Sequence, residues 1–167
     1  MGCDIFSIHK EYPVKEKTLS VSAIKDGTVI DHIQPGAALK IMNILQLYAE
    51  NRQVTIGINL KGASGLKDII KIENVLLTET QAAQIAVFSP HATVNVIQNY
   101  QVTKKFKVQI PEKIDSLLAC PNTRCIGNSE KIATLFLVEE SGHQVTLRCK
   151  YCEKRFTRDQ MHEKALM

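Results

Sequence analysis

Four cysteines in two short-spaced pairs carry the most specific chemistry in this chain: Cys120-Pro-Asn-Thr-Arg-Cys125 and Cys149-Lys-Tyr-Cys152, with 23 residues between them. Four thiolates close a tetrahedron around Zn²⁺ and leave no position open for water or substrate, so such a site organises a fold and does no chemistry of its own. The first spacing, Cys-x4-Cys, is wider than the common Cys-x2-Cys, but two pairs brought together over a long separation carry the signal. The alternatives are free core thiols or disulfides, and disulfides need an oxidising compartment. The run Met1-Gly2-Cys3-Asp4-Ile5-Phe6-Ser7 has an early acid and no continuous apolar stretch before Lys10, which argues against export and for a cytoplasmic protein. No stretch approaches the roughly 18 apolar residues of a membrane span, so no membrane partner is expected. Cys3, the fifth cysteine, reads as an incidental exposed thiol.

The remaining chemistry is quieter. Lys61-Gly-Ala-Ser-Gly-Leu-Lys67 lacks the Gly-x4-Gly-Lys-Ser/Thr order of a triphosphatase loop, and there is neither a Gly-x-Ser-x-Gly elbow nor a plausible Cys/His nucleophile pair. The net charge of +4 dissolves on division: residues 1–102 carry nine Lys/Arg against nine Asp/Glu, residues 103–152 eight against five, and residues 153–167 four against three. Four thiolates on one Zn²⁺ add −4 + 2 = −2, leaving about +2, which is weak support for a nucleic-acid footprint. The competing reading is a nucleic-acid-binding zinc ribbon, motivated by the same cysteines and Lys104-Lys105-Phe106-Lys107.

The elements that must position these groups follow from periodicity. Residues 1–17 show no pattern and read as a solvated arm. Val21, Ala23, Thr28, Val29 and Ile30 flank Asp26-Gly27, so residues 19–33 are expected to form two strands joined by a tight turn. Ala38, Ile41, Met42 and Leu45 recur at helical spacing from Pro35-Gly36 to about Ala49. Val54, Ile56, Ile58 and Leu60 alternate as one face of a strand, and Ile69 to Glu73 is another. Thr78-Glu79-Thr80-Gln81 matches a capping box for a second helix ending at Ser89-Pro90. Thr93 to Gln98 and the run from Val102 to Ile110 are extended. The expected fold is α+β: an antiparallel sheet with two helices on one face, ferredoxin-like, followed by a small all-β zinc domain at 103–156. In the latter, Thr134 to Val138 and Gln144 to Leu147 lie between the cysteine pairs. Beyond Phe156 a polar tail, 157–167, is expected to fray.

Four blocks in order carry a resemblance: Gly27-Thr-Val-Ile-Asp-His-Ile33, Lys67-Asp-Ile-Ile-Lys-Ile-Glu-Asn74, Pro90-His-Ala-Thr-Val-Asn95, and the two cysteine pairs with Glu153. From about Val21 to Phe156 the chain resembles the regulatory chains of aspartate carbamoyltransferase. The resemblance implies a non-catalytic subunit in pyrimidine biosynthesis. Residues 18–102 would bind nucleotide triphosphate effectors, the zinc domain would grip the catalytic chain, and a regulatory homodimer would bridge two catalytic trimers in sets of three.

Carried over position by position, the implied nucleotide pocket is Val21, Ala23, Ile24, Val29, Asp31, His32, Ile69, Lys71, Asn95, Ile97, Tyr100, Val102 and Lys105, and the implied metal ligands are Cys120, Cys125, Cys149 and Cys152. The types suit the task. Small apolar side chains hold a flat base, Asp31 accepts from ribose hydroxyls, and Lys71 and Lys105 meet phosphate charge. Without the resemblance, the apolar members read as sheet-face residues, the lysines as solvated charges and His32 as a hydrogen-bonded structural residue. Ser22 stands between pocket positions where some relatives carry an acid, which bears on base preference. The arm before Thr18 is longer than the lead-in such chains imply.

Overall fold

The computed structural model describes residues 21–48, 51–63, 65–116, 118–130, 132–141 and 144–163. The arm expected over 1–17, and Cys3 with it, lies outside the described residues. The first half of the chain runs β1 (Gly27–Ile33), α1 (Ala38–Ile44), β2 (Val54–Gly62), β3 (Gly65–Glu73), α2 (Glu79–Phe88), β4 (Thr93–Gln98) and β5 (Gln101–Lys107). The strands pair in the order β2-β3-β1-β4-β5, every pair antiparallel. The first four reproduce the ferredoxin-like arrangement, and β5 adds a fifth strand beside β4.

Strand alternation gives the sheet two unlike faces. One register row, Ile56–Ile70–Ile30–Val94–Phe106, crosses all five strands. It packs into the core with Ala38, Ile41 and Ile44 of α1 and Ala82, Ile85 and Ala86 of α2. The adjacent row, Thr55–Lys71–Val29–Asn95–Lys105, lies on the helix-free face. Thr78 and Gln81 form the capping box expected at the start of α2, with the Gln81 N–H donating to Thr78 Oγ1 at 3.2 Å. The start of α1 is held differently. The Asp68 carboxylate, fully buried, accepts from the N–H groups of Gly36 at 2.8 Å and Ala38 at 3.3 Å, and from Asn59 at 2.9 Å. One side chain thus caps a helix and fixes the irregularity in β2 where Asn59 takes φ 55°.

Three local expectations differ from what is found. Residues 21–26 form no strand; β1 begins at Gly27 and pairs with β3 and β4, not with its own predecessor. Gly27, at φ 138°, serves close approach: a Cβ there would lie 2.1 Å from the Ile72 carbonyl oxygen. Asp26 serves as an anchor, its carbonyl accepting from Asn74 N–H at 3.0 Å and its carboxylate from Asn99 N–H at 2.9 Å. Second, α1 ends at Ile44, and a turn with Gln46 at φ 51° carries the chain onward while Leu47 stays buried. Helical spacing to position 45 had suggested a longer helix.

The second half comprises β6 (Lys113–Asp115), β7 (Leu118–Ala119), a single helical turn α3 (Ile126–Ser129), β8 (Leu135–Ser141), β9 (Gln144–Cys149), β10 (Arg155–Thr157), a 3-10 turn (Arg158–Gln160) and β11 (His162–Glu163). Strands β10-β9-β8-β6 form one antiparallel sheet, and β11 pairs with β7. Phe136, Leu147 and Cys149 are fully buried within it. The third difference lies here: residues 157–163, expected to fray, are ordered. Met161 is fully buried and Thr157 caps the 3-10 turn with Gln160. A single apolar residue in a polar run leaves no periodicity to read.

Candidate metal centre and effector face

The metal centre is built by three short devices around the cysteines. The Cys120 pair sits after β7, closed by Asn128, whose amide donates to the carbonyls of Cys120 at 2.7 Å and Asn122 at 3.0 Å. Cys125 precedes α3. Cys149 ends β9, and the Glu153 N–H returns to its carbonyl at 3.0 Å, folding Cys152 back toward the other three. The Cys120 and Cys152 sulfurs are 3.6 Å apart, those of Cys125 and Cys149 are 3.7 Å apart, and all four lie within 4.8 Å of one another. A Zn–S bond of about 2.3 Å puts the sulfurs of a regular tetrahedron about 3.8 Å apart, so the donor set and its spacing fit Zn²⁺.

Protonation tells the same story. Burial pushes the Cys120 and Cys125 thiols up, although the N–H groups of Asn122 and Gly127 are aimed at the two sulfurs. Burial acts in the same sense at Cys152, but the Lys154 N–H, the Asn122 side chain and the neighbouring thiols outweigh it and bring that group to about 7. Burial disfavours ionising Cys120 and Cys125 on their own, and a divalent cation offsets that cost. The centre is closed by four protein ligands, which makes it structural.

The helix-free face of the first sheet gathers the other site residues predicted from sequence. Lys71, 9% exposed and second in the cross-sheet row, donates through Nζ to the carbonyls of Val21 (3.1 Å) and Ser22. Residues 21–24 therefore pass over this face, with Val21 beside Ile69 and Gly57, and Ile24 buried. Lys25 and Asp26 fasten the segment to the far end of the sheet, where the Tyr100 N–H donates to the Lys25 carbonyl at 2.9 Å. Asn95 lies beside Val29 and donates weakly to its carbonyl, while Ile97 and Val102 form the next register pair. Lys105 is exposed and paired in register with Asn95. Val102 and Tyr100 are open to solvent, Tyr100 to 66%, so they form the rim; Ala23 is also exposed.

Asp31 and His32 sit at the opposite end. Asp31 accepts from Lys67 Nζ at 2.7 Å and from the His32 N–H at 2.7 Å. Burial alone pushes the Asp31 carboxyl up, but the Lys67 hydrogen bond, the His32 N–H and the Lys67 charge together hold it below the usual carboxylate value. His32, at φ 57°, places its ring Nδ1 3.2 Å from Thr93 Oγ1 and 3.5 Å from Asp31 Oδ2. Lys67 is the residue that sequence reasoning missed. Its place one register step along β3 from Ile69, on the same face, was the available signal. Burial lowers the Lys71 pKa, with the Asp31 charge opposing. A face carrying Lys71 on β3 and Lys105 on β5, with β1 and β4 between them, a third lysine paired to a carboxylate, and apolar flanks suits an anionic ligand with a flat apolar part.

Comparison with known proteins assigns both halves. Residues 19–109 match the family model of the aspartate carbamoyltransferase regulatory chain, allosteric domain, and residues 112–162 match that of its metal binding domain. An aspartate carbamoyltransferase regulatory chain of Vibrio cholerae is 47% identical over 150 residues, covering 89% of this chain and 97% of the relative. One from Sodalis glossinidius is 49% identical over 143 residues, 85% and 93% of the two chains, and one from Photobacterium profundum 46% over 151 residues, 90% and 98%. Both halves of the fold, the four-cysteine centre and this near end-to-end similarity place the chain in the family of aspartate carbamoyltransferase regulatory chains, the regulatory and not the catalytic partner of that transferase.

Proposed function

We propose that the chain binds nucleoside triphosphate effectors on the helix-free face of its first sheet and conveys their presence to catalytic chains held by its zinc domain. The observation that carries this reading is the row Thr55–Lys71–Val29–Asn95–Lys105, roofed by residues 21–24. In it the base lies among Val21, Ala23, Ile24, Val29, Ile69, Ile97 and Val102 with Tyr100 at the rim. Asp31 and His32 face the ribose and phosphates, and Lys71 and Lys105 supply positive charge. Residues 18–102 serve as the effector domain and 103–156 as the zinc domain. Ile126 and Tyr151, exposed beside the cysteines, offer the apolar surface for the catalytic chain. The strand edges of the first sheet, β2 and β5, are the natural place for the regulatory homodimer.

Titration calorimetry with adenosine and cytidine triphosphates tests the reading. Lys105→Ala removes an exposed charge without disturbing the fold, and a lost charge-assisted contact of about 1.5–3 kcal/mol weakens binding by roughly ten- to a hundredfold. Unchanged affinity in that variant would sink the site assignment. Co-purification with a catalytic chain, and sedimentation of the full chain alone, test the two protein partners.

A further inference from the structure

Residues 157–163 are tied to the metal centre at both ends and to the first domain in the middle. At one end, β10 follows directly from the Cys149–Cys152 turn and pairs with β9 through Arg155↔Arg148 and Phe156↔Leu147. At the other, β11 pairs with β7 through His162↔Ala119 and Glu163↔Leu118, immediately before Cys120. Between these anchors the segment rests on the helices of the effector domain. Lys40 of α1, half-buried over the Phe88 ring at 5.4 Å, donates through Nζ to the carbonyls of Arg158 (3.0 Å) and Asp159 (3.4 Å). Arg158 reaches the other way, its guanidinium donating to the Val87 carbonyl in the last turn of α2 at 3.4 Å. A cation there complements the helix dipole. Met161, fully buried, belongs to the same continuous core as Ile44, Phe88, Ile114 and Leu118.

We propose that this segment is a metal-dependent strap: ligation of the four cysteines holds its two ends, and the held strap rigidifies α1 and α2 of the effector domain. Metal loading of one domain thereby sets the local stability of the other. The consequence reaches the effector face, because the start of α1 is fixed by Asp68, the residue next to Lys67 on β3. Without the metal the two cysteine turns separate, β10 and β11 lose their partners, and the carbonyls that Lys40 holds are no longer positioned. The device requires no nucleotide and stands whichever ligand the open face takes.

Hydrogen exchange followed by mass spectrometry on the full-length chain, zinc-loaded and chelated, reads the coupling directly. In the unmodified chain, chelation is expected to speed amide exchange in peptides of α1 and α2 by about tenfold or more, the equivalent of losing contacts worth ~1.5 kcal/mol, alongside the larger change in residues 113–163. Lys40→Met keeps the apolar stem over Phe88 but removes the two hydrogen bonds. With zinc bound it should already show faster α1 and α2 exchange, and chelation should add less than in the unmodified chain, because Arg158 and Met161 still tie the strap until then; Lys40→Arg should restore the response. Zinc stoichiometry, measured in parallel, should be the same in all three chains. The proposal is overturned if chelation leaves α1 and α2 exchange unmoved in the unmodified chain, or if Lys40→Met responds to chelation as the unmodified chain does.

Discussion

The ammonium of Lys67 donates to Asp31 across adjacent strands at 2.7 Å, while its immediate neighbour Asp68 turns to the opposite face of the sheet and caps α1. The pair has a defined pH signature. The Asp31 carboxyl is held below its ordinary value of 3.8, so its ionised form is favoured by folding. The resulting stability is fully present above pH 3.8 and is lost as the pH falls through the lower folded-state value. A carboxyl-carbon NMR titration of Asp31 should therefore show a midpoint below 3.8. In Lys67→Met, burial acts with less opposition and the midpoint should rise. A midpoint unmoved by that substitution would show that the ion pair does not govern this group.

Asp68 predicts a large stability effect from a single polar side chain. Asp68→Ala leaves three backbone N–H groups, those of Gly36, Ala38 and Asn59, without their acceptor. Only the Ala38 donor is buried, and a buried donor left unmade costs about 1–3 kcal/mol, while water can reach those of Gly36 and Asn59, so the loss should be about 2 kcal/mol. Thermal unfolding should show a drop of roughly 5 °C for a chain of this size. Asp68→Asn keeps one acceptor oxygen and should recover part of the loss.

Gly27 should tolerate no side chain. Its φ of 138° is one that L-residues rarely adopt, and a Cβ would meet the Ile72 carbonyl at 2.1 Å. Gly27→Ala must push β1 away from β3, with an expected cost of about 3 kcal/mol or more. Gly36, also at positive φ, has open space around its Cβ position, so Gly36→Ala should cost distinctly less; urea unfolding of the two variants gives the comparison.

Cys149→Ala removes a fully buried ligand and breaks the four-sulfur set. Tight zinc binding should disappear, and with it folding free energy of about 10–16 kcal/mol in comparable zinc modules. Native mass spectrometry with the catalytic chain present should then show separated catalytic oligomers that keep carbamoyltransferase activity without effector response. An intact, nucleotide-responsive complex lacking zinc would refute the structural role of the centre.

The parts legible in the sequence are those in which local chemistry and tertiary structure agree. Thr78 and Gln81 announced α2 because a capping box is satisfied within four residues. The alternation from Val54 and the spacing of Cys120, Cys125, Cys149 and Cys152 were equally local. Asp26-Gly27 misled because a turn-forming pair also serves where a loop must be fastened and a backbone must pass close. Lys67 and Asp68 were opaque for a different reason: their partners, Asp31 and Gly36, lie more than thirty residues away, and nothing in a charged residue's neighbours reports which distant group it meets. The turn at 157–160 had a local signal in Thr157 and Gln160, the same pattern as Thr78 and Gln81, but its contact with Lys40, 118 residues upstream of Arg158, could not be read from a polar run.

The two cross-sheet rows also bear on how this chain can fail. Ile70 and Lys71 are consecutive, one in the core row and one in the row on the helix-free face, and the same holds for Ile30 beside Val29 and Val94 beside Asn95. A slip of one residue in β3 would bury Lys71 under the helices and expose Ile70. Misthreading therefore cannot yield a well-folded chain with a faulty ligand face: the error that ruins recognition also ruins packing, and such a molecule presents itself to cellular proteases as unfolded. Quality control based on stability alone thus also screens for the integrity of the helix-free face.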